Sequence, residues 1–250
     1  LGGFVFSVFV SAACLLLLRE WMKIVGGSFP QVDVIASFIA LFGALVLGSI
    51  GQYLPAAVLL FAAALLVAFV LRFSAPHKWM AEGLVYAGVS GISLIALRAG
   101  EHGLIVILFL FGIVWATDIA AYFAGRSIGG PKLWPKVSPK KTWSGALGGL
   151  TAALIVGAIF SAFAGSVHPA AWIGAALVLS VASQFGDLFE SAVKRRFDVK
   201  DSGTLIPGHG GIMDRVDGLV AGAVVLYFLA VAVTGNFADP IGELVALNGT

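Results

Sequence analysis

The chain has 250 residues, of which 60% are hydrophobic and 11% charged, and a formal net charge of +2. That leaves too little polar surface to coat a water-soluble globule, so lipid must solvate most of the chain. The modest charge argues against a nucleic-acid duplex as partner, and the single Cys14 excludes an intrachain disulfide.

Apolar length, with breaks at charge, Pro and Gly, predicts membrane spans near 1–18, 32–50, 55–71, 84–97, 104–124, 145–163, 170–185 and 216–234. Each approaches the roughly 20 residues that carry a helix across a hydrocarbon core of about 30 Å, and none alternates as a barrel strand does. The fourth is short. The expected fold is all-α: a polytopic helical membrane protein with about eight transmembrane helices. No repeat or linker divides it, so residues 1–250 form one integral membrane domain. The sequence begins at Leu1 directly in a hydrophobic run, and a preceding N-terminal segment is expected.

Positive charge is concentrated in two segments. One carries Arg126, Lys132, Lys136, Lys140 and Lys141, the other Lys194, Arg195, Arg196, Lys200 and Arg215, together ten of the fifteen Lys and Arg. Two spans separate them, so both lie on one side, and the preference of short basic loops for the cytosol makes that side cytoplasmic. Residues 125–144 and 186–215 are the expected cytoplasmic active-site loops, and the acidic tail with Asp239 and Glu243 lies opposite. Concentrated cytoplasmic cations suit anionic lipid headgroups or a polyphosphate.

In the first loop, Asp118 sits about two helical turns before the charged segment and can face a cytosolic cavity. Lys140, Lys141 and Thr142 are expected to open the next helix, where free N–H groups and the positive dipole end favour phosphate. Lys132, further from that helix start, is expected to lie apart from the phosphate.

In the second loop, helical spacing puts Asp187, Ser191 and Lys194 on one face, and Asp214 and Asp217 on one face at the start of the last span. Acids at membrane depth are functional candidates by default. Three carboxylates at two helix ends can converge on a metal, and Mg²⁺ suits such a site because it keeps positions for water and nucleotide phosphates. A second, monovalent cation would also fit an acid-rich site. Between them Pro207-Gly-His-Gly-Gly211 offers Gly210 and Gly211 as backbone that approaches a phosphate closely. His209 there can bind phosphate when charged or assist a proton transfer when neutral.

The stretch from Ser191 to Asp217, with Lys194-Arg195, Lys200-Asp201, Pro207-Gly-His-Gly-Gly211 and Asp214-Arg215, resembles the signature of the phosphatidate cytidylyltransferase, or CDP-diacylglycerol synthase, family. Asp118-Ile-Ala-Ala-Tyr-Phe-Ala-Gly-Arg126 and Ser138-Pro-Lys-Lys-Thr142 are similar to further stretches of that family, which usually carries Glu where this chain has Ser144. The resemblance is strong from Asp118 to Gly218 and only topological before that.

The resemblance implies a Mg²⁺-dependent nucleotidyltransferase of phospholipid biosynthesis. It would join CTP to phosphatidic acid, giving CDP-diacylglycerol and pyrophosphate, and act as a homodimer in a bacterial inner membrane. Asp187, Asp214 and Asp217 would hold the metal, with Lys194, Arg195 and His209 beside them in the catalytic set. Asp118, Ser138, Lys140, Lys141, Thr142, Ser191, Lys200, Asp201, Gly210, Gly211 and Arg215 would contact substrate. The rival expectations are an ion-coupled transporter, for which no clear inverted repeat is visible, and a CDP-alcohol phosphotransferase, whose motif of DG, AR, G and spaced Asp is not found.

Overall fold

A computed structural model describes residues 3–27, 31–69, 75–100, 102–163, 169–205 and 210–236. These form eight helices, α1 (Gly3–Ile24), α2 (Val32–Ser49), α3 (Tyr53–Phe69), α4 (Ala75–Ala99), α5 (Gly103–Ser127), α6 (Trp143–Phe163), α7 (Pro169–Arg196) and α8 (Met213–Thr234). Seven are long and apolar enough to cross a membrane, while α3, with 17 residues, falls just short. The all-α, eight-helix expectation holds. The short element is the third rather than the fourth.

Helix α4 was under-read because Lys78, Glu82 and its glycines and serines dilute its hydropathy. In the fold it is the centre. Among the seven spans 78% of its apolar window is buried, against 22–44% for the others, and it packs on α1, α2, α3, α5 and α8. Small residues let its neighbours close in, and Ser90 satisfies its hydroxyl on the Tyr86 carbonyl one turn back.

The second half is a row in which α5 packs on α6, α6 on α7 and α7 on α8, with α5 also touching α7 and α8. Helix α6 buries Gly145, Gly149, Ala153, Gly157 and Ser161, a small residue at every fourth position. Lipid tails are as apolar as Leu, so close van der Waals contact along such a stripe is what holds membrane helices together. Thr117 of α5 adds a buried 3.0 Å hydrogen bond to Ser180 of α7.

Between α5 and α6 lies a feature that helical periodicity did not reveal, a hairpin of β1 (Lys132–Trp134) and β2 (Ser138–Thr142). The strands are antiparallel, pairing Lys132 with Thr142 and Trp134 with Ser138. Strands this short carry no readable alternation. Lys140, Lys141 and Thr142 therefore end a strand instead of opening α6, which corrects the expectation that they line a helix N-terminus. Thr142 keeps a role there as the cap: its hydroxyl accepts the Gly145 N–H at 3.1 Å.

Helix α7 ends in a Schellman turn, with Val199 N–H donating to the Lys194 carbonyl at 2.9 Å and Asp198 N–H to that of Arg195 at 3.4 Å. Asp198 occupies the left-handed position, φ 54°, which glycine adopts more readily. Asp198→Gly is expected to stabilise the protein by about 0.5–1 kcal/mol, read as a higher melting midpoint in detergent with turnover unchanged.

Candidate functional site

A cavity of about 660 Å³ opens between α5, the hairpin, α6 and α7. Its wall includes Asp118, Arg126, Lys132, Lys140, Lys141 and Asp187. Four cations and two carboxylates thus converge from four elements. Lys141, at the end of β2, forms an ion pair with Asp187 of α7. That contact ties the hairpin to the helix that begins the signature, and Ser191 adds a weak 3.4 Å hydrogen bond to Asp187 one turn on.

Asp217 of α8 is not among the residues of the cavity wall. Asp118 is an electrostatic neighbour of Asp217, Asp187 and Lys141, and Asp217 of Asp187 and Lys141. It accepts the Gly218 N–H at 2.7 Å. Two helices bring it there by close approach. A Cβ on Gly186 would meet the Asp217 carbonyl oxygen at 2.5 Å and the Ala221 Cβ at 2.6 Å, so only glycine lets α7 and α8 lie this near.

Asp214, expected in the metal triad with Asp187 and Asp217, is hydrogen-bonded within the chain. Its Oδ1 accepts Lys194 Nζ at 2.6 Å, and its Oδ2 accepts the N–H groups of Ser202 and Gly211, each at 2.9 Å, with the Ser202 hydroxyl also at 2.9 Å. Oδ2 is thus fully engaged by the chain, while Oδ1 has Lys194 as its one partner. Among the described residues no group of three or more His, Cys, Asp and Glu is arranged to hold a metal ion. Lys194 is equally committed, standing 3.3 Å from Glu190 in addition to its bond to Asp214, with only 14% of its side chain exposed. Lys194 thus bridges the carboxylates of Glu190 and Asp214.

Of the glycine segment, Gly210 and Gly211 are among the described residues. Gly210 has φ +86°, and the N–H of Gly211 is given to Asp214 instead of being offered to an external anion. His209 lies outside the described residues. Arg195, Lys200, Asp201 and Arg215 are exposed, and they and Ser138 are absent from the cavity wall. Ser144, where Glu was expected from the family, donates to the Gly129 carbonyl and meets the Thr142 hydroxyl.

Sequence reasoning missed four polar or charged side chains of the wall, Arg126, Lys132, Tyr122 and Gln184. Lys132 was placed apart from the site by its distance from α6, but strand pairing with Thr142 folds it back. It also missed Glu20 of α1, a 5% exposed carboxylate that reaches the signature segment. The signal was available. The residue before α8 is Ile212, which has no side chain to cap a helix, so the acceptor had to come from elsewhere.

A helical bundle dissolved in lipid, with cations and acids gathered around one polar cavity, is the build of a membrane enzyme that handles phosphate groups. The chain matches the model of the cytidylyltransferase family over residues 1–233 and belongs to that family. It is 43% identical to the phosphatidate cytidylyltransferase of Brucella suis biovar 1 (strain 1330) over 245 residues, 96% of this chain and 87% of that protein. It is 35% identical to the protein of the same name from Staphylococcus aureus (strain COL) over 228 residues, 86% of each chain. With that of Bacillus subtilis (strain 168) it shares 44% identity over 147 residues, 58% of this chain and 55% of the other.

Proposed function

We propose that this protein is a phosphatidate cytidylyltransferase, making CDP-diacylglycerol and pyrophosphate from CTP and phosphatidic acid. The observation that carries the reading is the cavity wall, where Arg126, Lys132, Lys140 and Lys141 face Asp118 and Asp187. Two anionic reactants must meet, and preorganised cations offset their repulsion. A phosphate oxygen of the lipid attacks the α-phosphorus of CTP in line, forming a new P–O bond as the bond to the bridging β-phosphate oxygen breaks. No protein nucleophile is needed. Lys140 and Lys141, held by the hairpin, bind the triphosphate. Arg126 and Lys132 complete the cationic wall and orient it.

The carboxylate chemistry of these residues suits Mg²⁺. This ion binds through one or two carboxylates and completes its shell with water and substrate phosphates, and Asp187 and Asp217, with Asp118 near, supply such a pair. Asp214, whose Oδ1 has Lys194 as its one partner, completes the proposed set. When bound, the ion would neutralise phosphate charge and draw the leaving group. The homodimer belongs to the proposal on the resemblance alone, and a monovalent cation as an ion that an acid-rich site would also fit.

Purified protein in detergent, given phosphatidic acid, CTP and Mg²⁺, is expected to release pyrophosphate in step with CDP-diacylglycerol, and excess chelator should stop it. Absence of CTP-dependent product would overturn the reading, and ion flux in sealed vesicles without nucleotide chemistry would favour a transporter.

The cavity is placed on the cytoplasmic side of the bacterial inner membrane, where CTP is found. Single cysteines at the exposed positions Lys136 and Asp201, in a Cys14→Ser background, are expected to resist an impermeant thiol reagent added to intact cells. Labelling of either from outside would reverse the topology. Ser202 cannot serve as a probe, because it is 4% exposed.

A further inference from the structure

We infer that Glu20 is a positioning residue for this transfer, acting through the first turn of α8; the inference rests on the function proposed above. Helix α8 begins at Met213 with no side-chain cap of its own. Glu20 provides it from the other end of the sequence. Its Oε1 accepts the Ile212 N–H at 2.9 Å, and its Oε2 accepts the Met213 N–H at 2.9 Å and the Ser202 hydroxyl at 3.0 Å. A negative charge at a helix N-terminus also complements the helix dipole.

The same hydroxyl lies between Glu20 and Asp214, at 3.0 and 2.9 Å, and its single proton serves one of them at a time. Glu20, Ser202, Asp214 and Lys194 thus form one chain of bonds from α1 to α7. No slack surrounds it. A Cβ on Gly203 would meet Glu20 Oε1 at 2.8 Å, and one on Gly211 would collide with both the Ser202 hydroxyl and the Glu20 carboxylate. Asp217 follows Asp214 by one turn, so whatever fixes the start of α8 also fixes where Asp217 stands relative to Asp187.

Docking of α1 does not itself need the carboxylate. Trp21 is fully buried, donates from Nε1 to the Trp79 carbonyl at 2.7 Å, and lays its ring against Tyr86 and Phe189 with centroids 5.3 and 6.2 Å away. These contacts hold the helix in place. What the carboxylate does is orient Ser202, Ile212 and Met213. Removing it should disturb the site more than the fold, which separates positioning from a merely structural role.

Glu20→Gln keeps the shape but sets an amide donor against a backbone N–H. Its kcat is expected to fall on the order of ten- to a hundredfold, as for about 1 Å of misplacement. KM for CTP and for phosphatidic acid should stay within about twofold, because Glu20 touches neither, and turnover is a rate of correctly placed groups. Amide hydrogen exchange at Ile212 and Met213 should rise. Glu20→Asp, which keeps the charge, should recover part of the rate. A wild-type kcat in Glu20→Gln, or a loss that merely tracks the folded fraction, overturns the inference. Should Glu20→Gln not fold, Glu20→Asp, whose carboxylate is one methylene shorter, serves instead, and a wild-type kcat there with unchanged exchange at Ile212 and Met213 overturns it equally. A wild-type protein that makes no CDP-diacylglycerol overturns the function first and this inference with it.

Discussion

Asp187→Asn is expected to lower CTP-dependent pyrophosphate release by about 10²–10³-fold, the scale of losing one preorganised electrostatic contact to a transferring group. The fold should hardly notice. Asp187 and Lys141 are 35% and 26% exposed in their side chains, and a pair this open to solvent contributes only about 0–1 kcal/mol. Loss of rate without loss of melting midpoint is therefore the diagnostic combination. Lys141→Gln should behave alike, whereas Lys141→Arg keeps the charge but replaces a compact ammonium with a planar fork and should lose less. Lys136, exposed and absent from the cavity wall, is the control, a part that Lys132 cannot play because it lines the cavity. Wild-type rates for Asp187→Asn and Lys141→Gln across a Mg²⁺ titration would remove this cavity from the chemistry.

The contrast between Asp187 and Asp214 shows what the sequence could and could not convey. Their residue types and helical spacing were legible, and so was the convergence of two charged segments, because spans of about 20 apolar residues leave few ways to arrange the loops between them. Which partner reaches each carboxylate was not. Asp214 meets Lys194 and the N–H groups of Ser202 and Gly211, while Asp187 meets Lys141 from a hairpin 46 positions earlier in the numbering. Both choices are tertiary. Glu20 was hidden for a related reason: flanked by Arg19 and Lys23 it reads as an interfacial charge, and its partners lie 182 to 193 positions away. The hairpin escaped because three paired residues carry no period. Helix α4 was clipped because hydropathy penalises the small and polar residues that allow a helix to be buried among others.

Gly186→Ala is the sharpest test of whether the approach of α7 to α8 sets the active geometry. The added methyl would stand 2.5 Å from the Asp217 carbonyl oxygen and 2.6 Å from the Ala221 Cβ. Ordinary contact begins near 3.4 Å, and backbone cannot swing aside as a flexible side-chain tip can. The helices must part by on the order of 1 Å, a displacement that costs about a hundredfold in rate when it falls on reacting groups. It falls on them directly, since Asp187 is the next residue and Asp217 is the residue struck. Stability should change far less, because overpacking costs about 1–3 kcal/mol while Gly to Ala in a helix returns about 0.5–1 kcal/mol. Gly174→Ala, on the same helix with nothing within 4 Å of the added methyl, receives the propensity gain without the collision. It should melt slightly higher and turn over at the wild-type rate. If Gly186→Ala matches it in kcat, the spacing of Asp187 and Asp217 does not govern the reaction, and the metal pair assigned to them falls.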